Sequence, residues 1–500
     1  MKKYKFEIVV FIVNAVYMIL ELIASRILSP YFGNSNLVWT SIIGIILLST
    51  STGNYLGGII ADKRDNEKNV KEILGISGIL IMLIPLIQRG VLNNIIKITD
   101  SIKIGAIIGT IAIFFLPAMF IGTLSPIIVK IKMNNIENVG KISGKISALA
   151  TLGSIIGTFV GGFLLIPSFG SNEILFVLSI IMFLLIILVN FANILKKDYI
   201  NIFAIIGILI SAVLFYMFIK NNNENIEKVL KGDTKILASY DTQYGRVLLL
   251  NVNKNGELIR HLTVDKGNES ATYINENKCF DLVFEYTKYY DLMFKSNKEI
   301  KDVLMIGGAG YSYPKHFISN NLESNMDVVE IDGKITQIAK KYFYLDKLIN
   351  DFDLENNKRL NLIKEDGRTY LNKNTKKYDA ILNDAFTGYS PAKTLTTLEA
   401  VKKIHDSLNE NGLYLSNVIS SIQGKNSNFI NAEINTIKKV FKNVYVIPCN
   451  DMNDLERIQN NMVIATDDVI NLEKTATVDY NNGVLLTDNY CPVDTLIPSK

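Results

Sequence analysis

Residues 301–333 read KDVLMIGGAGYSYPKHFISNNLESNMDVVEIDG and predict a strand, a glycine turn, a helix and a second strand. The first apolar run, 303–306, ends in the glycine-rich turn 307–310, and the second ends in Glu330-Ile331-Asp332. Glycines accept positive φ and let a ligand approach the backbone. An acidic residue about 20 residues further on can bind ribose hydroxyls. The pattern favours a site for an adenosine-containing ligand over a turn that is merely tight.

Composition divides the chain into two parts. Its 500 residues are too many for one ordinary domain, and residues 1–220 contain most of the long apolar runs. The net charge of +4 is small for this length, so we expect no nucleic-acid partner. The three cysteines are isolated, which predicts neither a metal site nor a disulfide framework.

The first part predicts a membrane helical bundle of about seven spans, each near the roughly 20 residues that a bilayer requires. The first run is too long for a signal-peptide core, so we expect it to be retained. The third is the shortest. The segments are 6–28, 37–61, 73–87, 104–129, 142–166, 174–195 and 200–219. Repeated glycines in the second and fifth segments predict close helix packing.

Two charged residues, Glu21 and Arg26, fall in or near the first span. Such charges usually face a protein interior or a water-filled cavity, and the alternative is that the two pair near the interface. Basic residues lie at the N-terminus and in or beside the loops that follow the second, fourth and sixth spans. This distribution predicts that these parts of the chain are cytoplasmic. They are Lys2, Lys3, Lys5, Lys63, Arg64, Lys68, Lys71, Lys130, Lys132, Lys141, Lys145, Lys196 and Lys197.

Residues 221–300 predict a linker and a small β-rich subdomain. The polar residues 221–235 resemble a linker, and three strands are expected at 235–239, 246–252 and 257–263, with a hairpin turn at 253–256. We predict a helix at 279–294.

Residues 301–500 alternate strand and helix patterns, which predicts an α/β, Rossmann-like fold with a mostly parallel sheet. Expected helices lie at 335–342, 397–408 and 428–441. The strand candidates are 303–306, 327–330, 360–363, 380–383, 413–418, 444–447 and 462–465. Ligands bind beyond the carboxyl ends of such strands. The candidate site residues are therefore Gly307–Gly310, Glu330, Asp366 and Asp384.

Four motifs in this order resemble the spermidine synthase family of aminopropyltransferases, whose catalytic domain has the class I methyltransferase fold. They are VLMIGGAGYSYPK at 303–315, VVEID at 328–332, EDGRTYL at 365–371 and YDAILNDAF at 378–386. The whole chain resembles the membrane-fused branch of that family. Residues 57–64, GGIIADKR, resemble a cytoplasmic loop of major facilitator transporters, over that loop only.

The resemblance implies a role for each matching residue. Glu330 would hold the ribose hydroxyls, and Asp366 would accept a hydrogen bond from the adenine amino group. Gly307, Gly308 and Gly310 would line the sulfonium and ribose region. Asp384 would position and deprotonate the attacking amine, and the alternative is that it caps a helix at 385–390.

The chain departs from the family at two acidic positions, which are occupied by Tyr311 and Thr387. Tyr311 would then contact the substrate, and a neutral phenol suits the carboxylate of S-adenosylmethionine better than a cation. Asp488 or Asp494 in the C-terminal motif TDNYCPVD are candidates to replace the missing acids. Tyr286, with Tyr289 and Tyr290, would wall the substrate pocket or pack on the sheet.

The leading expectation is a membrane-anchored transferase that moves an aminopropyl group from a sulfonium donor to an amine. The co-substrate would be S-adenosylmethionine or its decarboxylated form, with no metal. Another reaction on S-adenosylmethionine, and a transporter or sensor that binds the nucleoside without turnover, are the alternatives. The expected partners are a small-molecule amine, membrane lipid and a second copy of the chain.

The expected location is an integral, multi-pass membrane protein with a cytoplasmic catalytic domain. Seven spans from a cytoplasmic N-terminus would place residues 221–500 on the other side, whereas the donor is made in the cytoplasm. We weight the donor argument more, which requires that one apolar segment does not cross or that another span exists.

Overall fold

The computed structural model describes most of the chain and separates it into two compact units. The first comprises residues 1–226 and 239–246, and the second comprises residues 227–238 and 247–500. Lys2, Lys3, Lys63, Arg64, Lys196 and Lys197 lie outside the described residues, as does much of segment 221–235. The described ranges are 4–33, 35–62, 66–99, 101–133, 138–191, 199–223, 228–229, 234–265, 267–296, 298–387 and 390–498.

The first unit is formed mainly by long apolar helices. One of them continues through a π-helical stretch, Val160–Leu165, into a short α-helical end. The helices are α1 Lys5–Phe32, α2 Asn36–Ala61, α3 Asn66–Ile98, α4 Ile102–Lys132, α5 Val139–Phe159, α6 Ile166–Ser168, α7 Ser171–Val189 and α8 Tyr199–Asn223. Within the described ranges, seven helices are long and apolar enough to cross a membrane, counting 139–168 as one.

Two helix pairs approach closely at glycines, as predicted. A Cβ on Gly53 would lie 3.1 Å from the Cα of Gly122 in α4, and one on Gly157 would lie 2.6 Å from the Cα of Ala15 in α1. Any side chain at these positions would force the backbones apart. Gly58 and Gly162 meet nothing within 4 Å, so the packing prediction is wrong for those two.

The third apolar segment is not the shortest but forms the longest helix, α3, with 33 residues. Its polar N-terminal end, Asn66–Glu72, continues the helix and contains no glycine or proline. Arg26, near the end of α1, donates hydrogen bonds to the carbonyl oxygens of Thr242 and Gln243, which belong to the same unit.

A five-stranded sheet, in the order β1-β2-β3-β4-β5, forms the β-rich part. Asn255 and Gly256, with φ of 54° and 85°, form the predicted two-residue hairpin turn between β3 and β4. Neither β5 nor β1 was predicted, and β1 falls within the segment 221–235 that we expected to be a linker. The strands are β1 Lys228–Val229, β2 Thr234–Asp241, β3 Arg246–Lys254, β4 Glu257–Val264 and β5 Gly267–Tyr273.

The predicted helix at 279–294 is wrong. Residues Glu285–Lys295 form a 3₁₀ helix, preceded by irregular chain and a short 3₁₀ turn at Glu276–Lys278. Its buried side chains, Thr287, Tyr290 and Met293, recur at every third position. That spacing aligns them on one side of a helix with three residues per turn, whereas an α-helix would spread them around its axis.

The second sheet confirms the predicted α/β fold of the class I methyltransferase type. Its order is β13-β14-β12-β9-β6-β7-β8, and only β14 runs antiparallel to its neighbours. All seven predicted strands are confirmed. The strands of this sheet are β6 Asp302–Ile306, β7 Asn325–Glu330, β8 Leu360–Lys364, β9 Tyr378–Asn383, β12 Leu408–Ser420, β13 Asn443–Pro448 and β14 Gln459–Thr466. Two short strands, β10 Phe386–Thr387 and β11 Ser390–Pro391, pair with each other in a separate sheet.

Helices connect these strands, and the core lies between them and the sheet. A third 3₁₀ turn, Lys393–Leu395, follows β11. The helices are α9 Ser312–Asn320, α10 Gly333–Tyr342, α11 Leu345–Asp351, α12 Leu354–Asn357, α13 Gly367–Lys373, α14 Leu398–Asp406, α15 Asn428–Ile437 and α16 Val493–Leu496. Because β6 lies between β7 and β9, the connections after β6 and β9 diverge to opposite sides and leave a crevice at the strand ends.

Candidate active site

The glycine turn after β6 packs directly on the chain that follows β9. Gly307 has a φ of 98°, and a Cβ on it would lie 2.8 Å from the carbonyl carbon of Asp384. The N–H of Asp384 donates to the carbonyl oxygen of Ile306 at 2.9 Å. Only glycine combines this φ with this approach, so Gly307 brings Asp384 to the turn.

Glu330, at the end of β7, holds the same turn from the other side. Its Oε2 accepts hydrogen bonds from the N–H groups of Gly308 and Ala309 at 2.9 and 3.0 Å. Its Oε1 accepts from the N–H of Asp332 at 2.9 Å. Burial raises the pKa of Glu330, and these three N–H donors oppose that shift because they stabilise the ionised carboxylate. The carboxylate therefore shapes the loop on which a ligand would rest.

Asp384 is the centre of a partly buried hydrogen-bond network. Its Oδ2 accepts from the Tyr286 hydroxyl at 3.0 Å, and its Oδ1 accepts from Nδ2 of Asn417 at 3.0 Å. Asn417 is held in turn by Nδ2 of Asn460, which donates to Asn417 Oδ1 at 3.0 Å. The chain after Asp384 forms the strand pair β10 and β11 rather than a helix. The helix-cap interpretation of Asp384 is therefore wrong.

Burial and mutual contacts shift the pKa values of the Asp384 carboxyl and of two neighbouring phenols, Tyr286 and Tyr290. Burial raises the pKa of the Asp384 carboxyl, and the bonds from Asn417 and Tyr286 oppose the shift. Burial, followed by the charge of Asp384, raises the pKa of both Tyr286 and Tyr290 well above the usual range. Both phenols therefore stay protonated at neutral pH, and Tyr286 remains a hydrogen-bond donor to the carboxylate.

Asp384 opens into a cavity of about 520 Å³. The cavity lies between the glycine turn, β5 and the 3₁₀ helix, and Tyr286, Gly307 and Gly308 are among the residues that line it. The remaining lining residues are Lys254, Asn268, Glu269, Ser270, Ala271, Val283, Phe284, Glu285, Thr287, Met305, Ala309, Ser312, Tyr313, Phe386, Asn417, Ile419, Asn450 and Asn460. This volume is within the range typical of small-molecule sites.

Tyr311 does not lie where we expected it. Its side chain is fully buried, its ring packs against Gly308, and its hydroxyl lies 2.9 Å from Oγ1 of Thr336. It is not among the residues that line the cavity. The backbone of Tyr311 is left-handed, with a φ of 54°, which directs the side chain into the protein rather than toward a ligand. The expectation that its phenol contacts the substrate is therefore wrong.

Three other predicted residues lie outside the cavity lining. The Glu330 carboxylate accepts hydrogen bonds from the glycine turn, as described above. Asp366 caps α13, and its Oδ1 accepts from the N–H of Thr369 at 2.8 Å. Gly310 packs against β5 and α10's end, where a Cβ would lie 2.8 Å from Phe343. These residues surround the same strand ends as the cavity, on β7, β8 and the glycine turn.

Asp488 is a structural clamp and not part of the cavity. Its Oδ2 pairs with the guanidinium of Arg368 at 2.7 Å, and its Oδ1 accepts from Oγ1 of Thr397 at 2.6 Å. Asp494 pairs with Lys393 in the same region. These contacts fasten the C-terminal segment to α13 and to the start of α14. The expectation that Asp488 binds substrate is wrong because its carboxylate is used by the fold.

Several lining residues were missed by the sequence analysis. Asn417 could have been found, because it follows the apolar run of β12 by one serine and Ser416 pairs with Asn383, so Asn417 is level with Asp384. Asn460 had no comparable signal, since β14 runs antiparallel and presents the start of its strand to the site. Glu269 belongs to a strand that was not predicted.

No group of three or more His, Cys, Asp or Glu side chains that could bind a metal ion occurs among the residues that the structure describes.

Comparison with known proteins assigns this part of the chain. Residues 270–453 match the family model of the spermine/spermidine synthase domain. This segment is a spermidine synthase-like domain. It includes the glycine turn, Glu330, Asp384 and most of the cavity lining. The sequence resemblance carried by the four motifs is thereby confirmed for this domain.

Relatives of the spermidine synthase-like domain are similar over part of their length. A polyamine aminopropyltransferase of Vibrio vulnificus is 32% identical over 152 residues, which are 30% of this chain and 46% of the relative. One of Saccharolobus solfataricus is 29% identical over 215 residues, 42% of this chain and 65% of the relative. A solved structure of a probable spermidine synthase from Corynebacterium glutamicum is 19% identical, with a TM-score of 0.39, over 48% of this chain and 81% of that chain.

We predict that Asp488→Ala lowers the stability of the spermidine synthase-like domain by about 1–2 kcal/mol, because it leaves the mostly buried Arg368 without this partner. Calorimetry of the purified full chain would show a lower unfolding midpoint. Asp479→Ala, an exposed carboxylate in the same C-terminal segment, is the matched control. Equal midpoints for both variants would show that the clamp contributes nothing.

Proposed function

We propose that the chain is a membrane-anchored aminopropyltransferase that releases methylthioadenosine. The observation that carries the proposal is the Asp384 carboxylate, which lies partly buried after a strand end, accepts hydrogen bonds from Tyr286 and Asn417, and lines a cavity beside the glycine turn. The match to the spermine/spermidine synthase domain supports the same chemistry. The relatives called polyamine aminopropyltransferase support an amine as acceptor.

The co-substrate would be decarboxylated S-adenosylmethionine, with no metal. Gly307 and Gly308 would lie against its sulfonium side, because their backbones line the cavity without side chains. Glu330 would accept from the ribose hydroxyls through Oε1, which has one lone-pair site beyond its bond to Asp332, whereas both sites of Oε2 are used by the turn. Asp366 would accept from the adenine amino group. These residues follow β6, β7 and β8, the three neighbouring strands on one side of the crevice.

Asp384 would act on the amine. The amine nitrogen attacks the carbon next to the sulfonium, the carbon–sulfur bond breaks, and its electron pair stays on sulfur as the neutral thioether. The proton lost from nitrogen passes to Asp384, so charge and atoms balance. Burial raises the pKa of this carboxyl, which makes it a stronger base than an exposed aspartate. Tyr286 and Asn417 keep both oxygens in place while the proton moves.

The identity of the donor would distinguish aminopropyl transfer from another reaction on S-adenosylmethionine. S-adenosylmethionine carries a carboxylate that the decarboxylated donor lacks, and the cavity lining includes three carboxylates, Glu269, Glu285 and Asp384, against one cation, Lys254. Repulsion of a donor carboxylate favours the decarboxylated molecule. This reverses the preference that the sequence suggested from Tyr311, whose phenol is directed away. Mass spectrometry of products formed from each donor, with and without an amine, tests the assignment. Binding without any product would instead support a sensor or transporter.

We predict that Asp384→Asn lowers product formation by at least about 100-fold, the range typical for loss of a general base. Binding of methylthioadenosine should be unchanged, because the amide keeps the size of the side chain and the nucleoside contacts lie elsewhere. Product assays and calorimetry would be run in parallel. Asp479→Asn, the same change at an exposed carboxylate that is not among the cavity-lining residues, is the control. Turnover at the wild-type rate would remove Asp384 as the base.

We predict that Asn417→Ala moves the acid limb of the kcat/KM profile to higher pH by about one to two pH units. The Asn417 amide stabilises ionised Asp384, so its loss raises a pKa that burial already raises. At a given acidic pH less of the enzyme then holds the base deprotonated. The ionisation of the amine is common to both proteins and cancels in the comparison.

Asn450→Ala is the control for the pH profile, since Asn450 lines the same cavity but donates its recorded hydrogen bond from the backbone, to Gln459. A profile for Asn417→Ala that coincides with this control would mean that another group sets the acid limb.

The proposal includes anchoring in the cell membrane, supported by the seven helices of suitable length and composition. We expect the full chain to stay with membranes after alkaline carbonate extraction, which releases peripheral proteins. We place the catalytic domain on the cytoplasmic side, where the donor is made, so that one of these helices would not cross. Protease should then digest this domain in inside-out vesicles and spare it in right-side-out vesicles. The opposite pattern would place the domain outside.

A further inference from the structure

Glu269 belongs to a strand that is fastened to the glycine turn. Its neighbour Ser270 lies 2.8 Å, Oγ to Oγ, from Ser312 in the first turn of α9. Ser312 also donates from Oγ to the carbonyl oxygen of Ala271 at 2.8 Å. Gly310 lacks the Cβ that would lie 2.8 Å from Cβ of Ser270. These contacts fix β5, and with it the backbone of Glu269, against the turn that the donor would occupy.

The Glu269 side chain lines the same cavity as Asp384. Its charge acts on the Tyr286 phenol, whose pKa is raised by burial, by Asp384 and also by Glu269. The Tyr286 hydroxyl is bonded to Asp384, so both carboxylates act on one phenol in this cavity. The carboxylates therefore come from two different sheets and meet only in the folded domain.

A diamine substrate requires two carboxylates with different roles, a base for the reacting nitrogen and a counter-ion for the other nitrogen. The reacting nitrogen must be neutral, so it needs a base, which Asp384 provides under the proposed function. The far nitrogen does not react and remains an ammonium at neutral pH. An ammonium buried without a counter-charge is costly, whereas a bond from it to a carboxylate is strong. Glu269 is the less exposed of the two other lining carboxylates and is held in place by β5, whereas Glu285 is exposed.

We propose that Glu269 binds the non-reacting ammonium of the acceptor and makes the enzyme select diamines over monoamines. This inference depends on the proposed function for the identity of the reaction. It explains how the domain can hold a dication although Tyr311 and Thr387 replace the acids that the family resemblance led us to expect.

The test is Glu269→Gln, which keeps the shape and removes the charge. The probes are 1,4-diaminobutane and 1-aminobutane, which differ by one amino group. We expect the KM for the diamine to rise on the order of tenfold or more, with kcat/KM for the monoamine and the affinity for methylthioadenosine unchanged. Glu269→Asp keeps the charge and should retain part of the preference for the diamine. Glu285→Gln controls for a general change of charge in the cavity.

Each other outcome overturns the inference. Weaker methylthioadenosine binding with an unchanged diamine preference would assign Glu269 to the donor ribose. An equal effect of Glu285→Gln would show general electrostatic attraction. No effect on either amine would leave Glu269 without a role in specificity.

Calorimetry of diamine binding in the presence of methylthioadenosine separates this inference from the proposed function. If the wild type binds the diamine and Glu269→Gln does not, but no product forms, then the transferase proposal fails and the ammonium site stands. If product forms but the variant binds diamine as tightly as the wild type, then the ammonium site fails and the transferase stands. Failure of the wild type to bind the diamine also overturns the site.

Discussion

The close approach of Gly307 to the carbonyl of Asp384 is the constraint on which the candidate site depends. It exists because β6 and β9 are neighbours in the sheet and because residue 307 has a positive φ and no side chain. A larger residue would push the loop after β9 away from the glycine turn. The base and the donor would then be separated by the width of that side chain, and an in-line attack requires reacting atoms within about 3–3.5 Å.

Around this contact, hydrogen bonds oppose the effect of burial on the ionisable groups. Glu330 is buried and Asp384 is partly buried, which raises the pKa of both carboxyls, and N–H or O–H donors oppose the shift in each case. The donors differ in kind. Glu330 receives backbone N–H groups and is therefore tied to loop geometry, whereas Asp384 receives side chains and keeps access to the cavity. This difference separates a carboxylate that shapes the site from one that can exchange a proton.

The two units of the chain are stabilised by different physics. In the helical unit, glycines such as Gly53 and Gly157 allow the backbones of neighbouring helices to come into contact. In the spermidine synthase-like domain, specific polar clamps add to the apolar core. The pair of Asp488 with Arg368 is one of them. It fastens the C-terminal segment to α13, the helix that follows β8. The C-terminal segment around Asp488 thus stabilises the elements beside the crevice and does not line the cavity.

Sequence alone determined the class of fold and the residues at the strand ends. Each apolar run of the second sheet, such as 303–306, became a strand because its length and its bounding polar residues are local properties. Since ligand sites follow the carboxyl ends of parallel strands, the positions of Gly307, Glu330 and Asp384 followed as well. Tertiary structure alone decided which side chains enter the cavity. The side chain of Tyr311 is buried away from the cavity, and Asp488 pairs with Arg368. Part of the helix expected at 279–294 is a 3₁₀ helix. Asn417 of β12 and Glu269 of β5 line the cavity. Those outcomes depend on backbone dihedrals, strand order and packing between residues far apart in the chain, and local periodicity contains no information about them.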